Sequence, residues 1–274
     1  MTDTIVIAGA GHAAGQTVIS LRQHGFDGRL IVIGEEPYPP YQRPPLSKKF
    51  LAGEMELERL WLRPEKFYTE HNVELRLSTR VERIDRDRKR LALSDGSQQD
   101  YDKLVLATGS RVRRCDMLGA DLPGVHYLRT IDDTLAIQEH FRPDAHLVVI
   151  GAGYIGLEVA AIAVSSGLKV TVRELADRVM ERVVSPELSA FYQQAHREAG
   201  VELLLSQPPG TVIHGDTRVR KVVDGDGQEF PADFVVIGIG VLPVTELAEA
   251  AGLECDNGIV VDEYCVTSDP DIFA

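Results

Sequence analysis

Two glycine-rich turns, each set between a short apolar strand and a helix, constrain this chain more than any other feature. Thr4-Ile5-Val6-Ile7-Ala8 is a continuous apolar run, the pattern of a buried parallel strand, and Gly9-Ala10-Gly11-His12-Ala13-Ala14-Gly15 follows it at once. A helix is expected over about residues 13–24, ended by Gly25, and a second strand over 29–34. The unit recurs. His146-Leu-Val-Val-Ile150 leads into Gly151-Ala-Gly-Tyr-Ile-Gly156, a helix over about residues 154–166 stops near Gly167, and a strand follows over 169–172. The repeat, with Gly9 and Gly151 about 142 residues apart, predicts an α/β protein with two Rossmann-like dinucleotide-binding domains.

The spacing has a physical reason. The first glycine lets the chain turn tightly out of the strand. The second lets the backbone approach a pyrophosphate, and the third position lets helix and strand pack closely. Backbone N–H groups and the helix dipole then point at the phosphates. These positions are Gly9, Gly11 and Ala14 in the first turn, and Gly151, Gly153 and Gly156 in the second. An acid ends the next strand each time, Glu35 after Leu30-Ile-Val-Ile-Gly34 and Glu174 after Val170-Thr-Val-Arg173. A carboxylate there can accept hydrogen bonds from ribose hydroxyls. At Glu174 it would also repel a 2′-phosphate, which favours NADH over NADPH. Arg173 pulls the other way, since an arginine can neutralise that phosphate.

Between the repeats lie a Pro-rich loop (residues 37–45), a helical stretch near 64–71, and two alternating segments, 81–85 and 90–93, that read as a hairpin. A strand over 103–107 ends at Thr108-Gly109. After the second repeat come a helix near 186–199, further strands, and an apolar strand over 234–237 before Gly238-Ile-Gly240. At 274 residues the chain suits two domains, each with its own core.

Charge and composition exclude several classes. A formal net charge of −13 would repel nucleic acid. The one basic run, Arg80 to Arg90, is interrupted by Glu82, Asp85 and Asp87 and reads as a solvated strand-turn-strand face. No apolar run approaches the roughly 20 residues that span a bilayer. The start, Met1-Thr2-Asp3-Thr4, lacks a basic n-region, so neither membrane nor signal peptide is expected. Three scattered cysteines, Cys115, Cys255 and Cys265, point to a reducing compartment, the cytoplasm. No Cys/His cluster has metal-ligand spacing, and no Gly-x-Ser-x-Gly elbow is present. Residues 35–60, where flavoprotein disulfide reductases carry a redox cysteine pair, contain no cysteine. Cys115 follows Arg113-Arg114, which can activate a thiol, but has no resolving partner nearby in sequence.

The order of motifs is specific. Besides the two turns, it includes Tyr41-Gln-Arg-Pro-Pro-Leu-Ser-Lys48, Ala107-Thr-Gly-Ser-Arg111, Gly151-Ala-Gly-Tyr-Ile-Gly-Leu-Glu158, Gly238-Ile-Gly-Val-Leu-Pro243 and Thr267-Ser-Asp-Pro-Asp-Ile-Phe-Ala274. Over essentially its whole length the chain resembles the FAD-dependent, NADH-dependent ferredoxin reductases of bacterial oxygenase systems, the putidaredoxin reductase and rhodocoxin reductase type. The resemblance implies hydride transfer from NADH to the flavin, then single-electron transfer to a [2Fe–2S] ferredoxin that feeds an oxygenase. It leaves room for another acceptor, rubredoxin or a quinone, and for a redox-sensing binding protein like apoptosis-inducing factor. It also implies roles. Gly9, Gly11, Ala14, Glu35, Arg43, Lys48, Thr108, Gly109 and Arg129 would serve FAD, and Gly151, Gly153, Gly156, Glu174 and Arg182 would serve NAD. Lys48 and Glu158 would pair beside the reacting rings as catalytic groups. Read alone, Lys48 is equally a solvated neighbour of Lys49, and Glu158 a first-turn glutamate favoured by the helix dipole.

The resemblance further implies an FAD domain over 1–111 and 239–274, with the NAD domain inserted over 112–238. Family members continue past Asp-Pro-Asp-Ile-Phe-Ala with Ala-Gly-Asp and a C-terminal interface domain. The expectation is therefore a C-terminally truncated chain that keeps its NAD site but holds FAD weakly. Val244 stands where an asparagine is usual, and Arg173 where an apolar residue is usual.

Overall fold

The structure is a computed structural model that describes residues 3–274. Met1 and Thr2, part of the start read for a signal peptide, lie outside the described residues. The chain forms two compact units. One gathers the described residues up to Gln42, Leu57–Arg111 and Leu242–Ala274; the other holds Arg43–Glu56 and Val112–Val241.

The first unit is built on a parallel five-stranded sheet. Its order is Ile272–Phe273, Lys103–Leu106, Thr4–Ala8, Arg29–Ile33, Val73–Arg76. Both faces of the central strand are buried, as its unbroken apolar run requires. Val6 and Ala8 pack with Ile31, Leu104, Leu106 and the strands Val81–Asp85 and Arg90–Leu93. Ile7 faces the other way, onto Ala14 and Val18 of the helix His12–Gln23 and onto Tyr68. Burying each such aliphatic side chain contributes about 1.5–3 kcal/mol. The expected hairpin is present and gains a third strand, Gln98–Asp100. Its basic run is neutralised locally: Arg88 pairs with Asp85, Arg90 with Asp100 and Arg86 with Asp269.

The second unit repeats the plan. Its parallel sheet runs Glu202–Leu204, Lys169–Arg173, His146–Ile150, Phe234–Ile237, Val125–His126. A three-stranded antiparallel sheet, Val212–His214, Lys221–Val223 and Glu229–Pro231, covers one face around Val148, Val222, Phe230 and Val235. Three helices of eight residues or more belong to this unit: Ile131–Gln138, Tyr154–Ser165 and Pro186–Glu198. The first of these was not anticipated, although Thr130 and Asp133 form a capping box that marks its start.

The division of the chain differs from a single 1–111 domain at Arg43–Glu56. Thr134 Oγ1 donates to Leu46 O at 3.3 Å, and Gln138 Nε2 donates to Phe50 O at 2.6 Å, with Leu46, Phe50 and Leu51 buried. The stretch that follows the Pro-rich loop carries apolar side chains, Leu46, Phe50 and Leu51, that find their core in the second unit.

Candidate functional site

Each glycine turn is set by its sheet. Gly9 N donates to Ile33 O at 2.8 Å, and Gly151 N donates to Arg173 O at 2.8 Å. Both glycines lie in left-handed backbone, with φ of +113° and +102°, where a Cβ would also meet Ala107 O at 2.1 Å or Gly238 O at 2.6 Å. The second glycines differ. A Cβ on Gly11 would meet nothing within 4 Å, and one on Gly153 would come no closer than 4.0 Å to Gly238 O. Packing does not demand glycine at these two places. What glycine leaves there is open space in front of a helix N-terminus, the space a pyrophosphate needs.

The helix ends fit that reading. His12–Gln23 and Tyr154–Ser165 start at Gly11 and Gly153 with no side-chain cap and no acid in the first turn. Ile131–Gln138 and Pro186–Glu198 are instead capped by Thr130 and Ser185, with acids in their first turns. A side-chain cap satisfies the first amides of a helix and an acid offsets its positive end. Both services are missing only where the glycine turns stand, among the described helices of this length. Helix-start amides without a side-chain cap are the kind that can donate to phosphate oxygens.

The two acids sit differently. Glu174 is clamped to its own turn: Oε2 accepts from Ala152 N at 2.7 Å and Oε1 from Ala176 N at 3.0 Å. Glu35 is 72% exposed and meets the edge of Arg80 at 3.5 Å. Arg173 turns inward. Its guanidinium, 3% exposed, donates to Thr211 Oγ1 at 2.9 Å and Gln207 Oε1 at 3.1 Å, pairs with Asp224 at 3.4 Å, and lies 4.9 Å from the centre of the Phe230 ring. Burial pulls its pKa below the ordinary arginine value, and Asp224 opposes that shift. Arg182 is exposed on the loop ahead of Pro186–Glu198.

Within the second unit, the 3-10 turn Pro44–Ser47 meets the helix Tyr154–Ser165. Lys48 Nζ pairs with Glu158 Oε1 at 2.7 Å and donates to Pro44 O at 3.3 Å. Ser47 Oγ donates to the other oxygen, Glu158 Oε2, at 2.5 Å. Glu158 is therefore not a first-turn glutamate of its helix, since the first turn holds no acid; it is a second-turn residue held by two donors. Sequence reading paired Lys48 with Glu158 and missed Ser47, because a serine beside a lysine carries no signal until the helix is placed against it. Arg43 Nη1 donates to Arg129 O at 2.7 Å, and Arg129 N to Asp133 Oδ2 at 2.9 Å. Arg43, Lys48 and Arg129 thus belong to the second unit, while Gly9, Gly11, Ala14, Glu35, Thr108 and Gly109 belong to the first. Thr108 Oγ1 donates to Val244 O at 2.8 Å, and Val244 N to Gly109 O at 3.0 Å. Val244 meets this strand end through its backbone.

Cys115 lies 3.6 Å from the Tyr127 hydroxyl, and the Arg114 guanidinium stacks over that tyrosine ring at 5.1 Å. No helix among the described residues is long and apolar enough to cross a membrane.

Comparison with known proteins agrees with this geometry. The chain is 47% identical over 271 residues to rhodocoxin reductase of Rhodococcus erythropolis, covering 99% of this chain and 64% of that protein. It is 44% identical over 277 residues to putidaredoxin reductase of Pseudomonas putida, covering 99% and 66%. Among solved structures it superposes, with a TM-score of 0.94 and 46% identity, on the ferredoxin reductase for the CYP199A2 system from Rhodopseudomonas palustris, covering 99% of this chain and 67% of that one. The chain spans about two thirds of the length of the curated relatives it matches. Residues 3–274 match the pyridine nucleotide-disulphide oxidoreductase family. With two uncapped glycine turns on one repeated α/β plan and relatives of this kind, the chain belongs to the pyridine nucleotide-disulphide oxidoreductase family and groups there with the ferredoxin reductases.

Proposed function

We propose that the protein passes reducing equivalents from NADH through FAD to a [2Fe–2S] ferredoxin that serves an oxygenase, in the cytoplasm. The observation that carries this reading is the pair of helix N-termini left uncapped behind open glycine turns, which gives two anion sites for two dinucleotides. The names of the similar proteins, rhodocoxin, putidaredoxin and ferredoxin reductases, supply the acceptor class. Three cysteines without disulfides suit a reducing compartment.

The first turn, with Gly9, Gly11, Ala14 and the exposed Glu35, holds the adenosine and pyrophosphate end of FAD, and Thr108 and Gly109 flank it. The second, with Gly151, Gly153, Gly156 and Glu174, holds NADH, with Arg182 near its phosphates. Arg43 and Arg129 are further FAD contacts. The FAD domain accordingly covers about 1–111 and 239–274 and the NAD domain about 112–238, with Arg43–Glu56 packing in the latter's unit. Bound FAD supplies the two-electron to one-electron conversion that the side chains cannot perform. Glu174 supports NADH over NADPH, because its carboxylate is held in place and the adjacent Arg173 is buried away from any 2′-phosphate. Lys48 would offer an ammonium to the negative charge that develops on a reduced flavin, and Glu158, its partner at 2.7 Å, would keep that ammonium oriented.

The test is an absorbance titration of the FAD-reconstituted protein with NADH and NADPH, followed by turnover with a [2Fe–2S] ferredoxin, with rubredoxin and with a quinone. Bleaching of the flavin by NADH and turnover with the ferredoxin are expected; bleaching by neither nucleotide overturns the reading. Lys48→Ala should slow flavin reduction at least tenfold while changing FAD retention by less than twofold, and equal stopped-flow rates for variant and parent remove Lys48 from the mechanism.

A further inference from the structure

Glu158 has two partners of different kinds. Lys48 reaches Oε1 with a side chain that is 48% exposed, on a flexible stem. Ser47 reaches Oε2 with a hydroxyl on a residue that is 4% exposed. The serine ends the 3-10 turn Pro44–Ser47, whose first residue is a proline. Leu46 beside it is buried, and its carbonyl accepts from Thr134 of the helix Ile131–Gln138. That hydroxyl therefore has little freedom to leave. A hydrogen bond to an ionised acceptor contributes more than one between neutral groups, and a short buried donor loses less side-chain entropy in holding it than a lysine does.

We propose that Ser47 is a positioning residue: it is the permanent partner that fixes the Glu158 carboxylate, so that Lys48 is the exchangeable one, able to leave for the cofactor rings and return to the same place. The inference rests on the function proposed above for Lys48 and Glu158, and it assigns the serine a task distinct from theirs. With Ser47 in place, one carboxylate oxygen stays aimed at the ammonium. Without it, the carboxylate turns about its last torsion, and Lys48 loses a defined resting position.

Two measurements test this on Ser47→Ala and Ser47→Thr, the second of which keeps the hydroxyl. The first needs no cofactor: competitive amine labelling of the purified chain, read by mass spectrometry as the Lys48 to Lys49 ratio. Lys48 should label several-fold more slowly than Lys49 in the parent, within about twofold of it in S47A, and near the parent ratio in S47T. The second is stopped-flow reduction by NADH of the FAD-loaded protein. S47A should lower the limiting rate about tenfold, as expected for losing one bond to a charged group, with the NADH dissociation constant within twofold of the parent. An S47A labelling ratio equal to that of the parent overturns the inference, and so does a changed ratio with an unchanged limiting rate. If NADH does not reduce the parent's flavin, the proposed function fails, and the labelling ratio alone still decides the role of Ser47.

Discussion

The two units use one strand order and one turn, yet they differ at matching places, and the difference is consistent. In the first sheet Ala8 is registered opposite Ile33; in the second Ile150 is registered opposite Arg173. Glu174 therefore matches Gly34, and Glu35 falls one residue later. The reason is steric. A Cβ on Gly34 would come within 2.4 Å of the Ala10 Cβ, so no side chain can sit there, and the acid of the first unit is displaced outward. In the second unit Ala152 N donates to Glu174 and Ala152 O accepts from Met180 N, so the turn is tied on both sides. The edge strands repeat the pattern. Phe273 pairs at the register where the second sheet carries His126. At three matching positions the first unit has Ile33, Gly34 and Phe273, and the second has Arg173, Glu174 and His126. One turn is left open, whereas the other is tied by polar groups that are buried or half-buried, and such groups are strong when satisfied and costly when broken.

The largest expected effect tests the buried arginine. Arg173→Ala should cost about 3–5 kcal/mol in urea unfolding, because Asp224 would stay buried without its cation. The double change R173M/D224N should recover most of the loss, since Met fills the space of the arginine and Asn leaves no buried charge behind. A single-variant loss below about 1 kcal/mol would show that the second unit does not depend on this pair.

The acids come next. Glu174→Ala should lose about 1–3 kcal/mol, because the buried Ala152 N–H loses its acceptor. Glu35→Ala should change stability by less than about 0.5 kcal/mol, as its pairing with Arg80 is exposed and long. Equal losses, measured side by side by thermal unfolding, would erase the contrast between the turns.

A pH dependence completes the comparison. Burial lowers His126 to about 4, with His140 adding to the depression and Asp133 opposing it. The unfolded chain binds this proton near the ordinary histidine value while the folded chain does not, so stability from this source is complete above about pH 6.5. It is lost as pH falls from about 6.5 toward 4. Allowing for solvent screening of a partly exposed ring, the loss is about 1–2 kcal/mol. His126→Phe, which copies the first unit, should flatten the stability profile over that range; an unchanged slope would place the dependence elsewhere.

Much of this was legible in the sequence because local chemistry decides it. Apolar runs before Gly9 and Gly151 specified parallel strands buried on both faces, and the glycine spacing specified the turns. The hairpin at 81–93 and the strand Phe234–Ile237 followed from alternation and from a short apolar run. Helix ends were placed to within a residue or so, since Gly25 and Gly167 end the first and second repeats' helices. Less was legible where the deciding partner is remote in sequence. Nothing near residue 45 indicated that Arg43–Glu56 would pack with residues beyond 112, or that Ser47 would meet a carboxylate 111 residues away. Arg173 read as a candidate phosphate ligand beside Glu174. Only the fold, by laying Asp224, Gln207, Thr211 and Phe230 around it, made it an interior group instead.

By itself the sequence determined that this protein carries two glycine turns of the dinucleotide-binding kind, because glycine spacing and apolar strands act over a few residues. The tertiary structure alone decided how the two turns differ. Both strand pairs keep the same register, so the difference lies in what packs at the matching positions: Ala10 against Gly34 in the first unit, and Ala152 with the remote partners of Arg173 in the second.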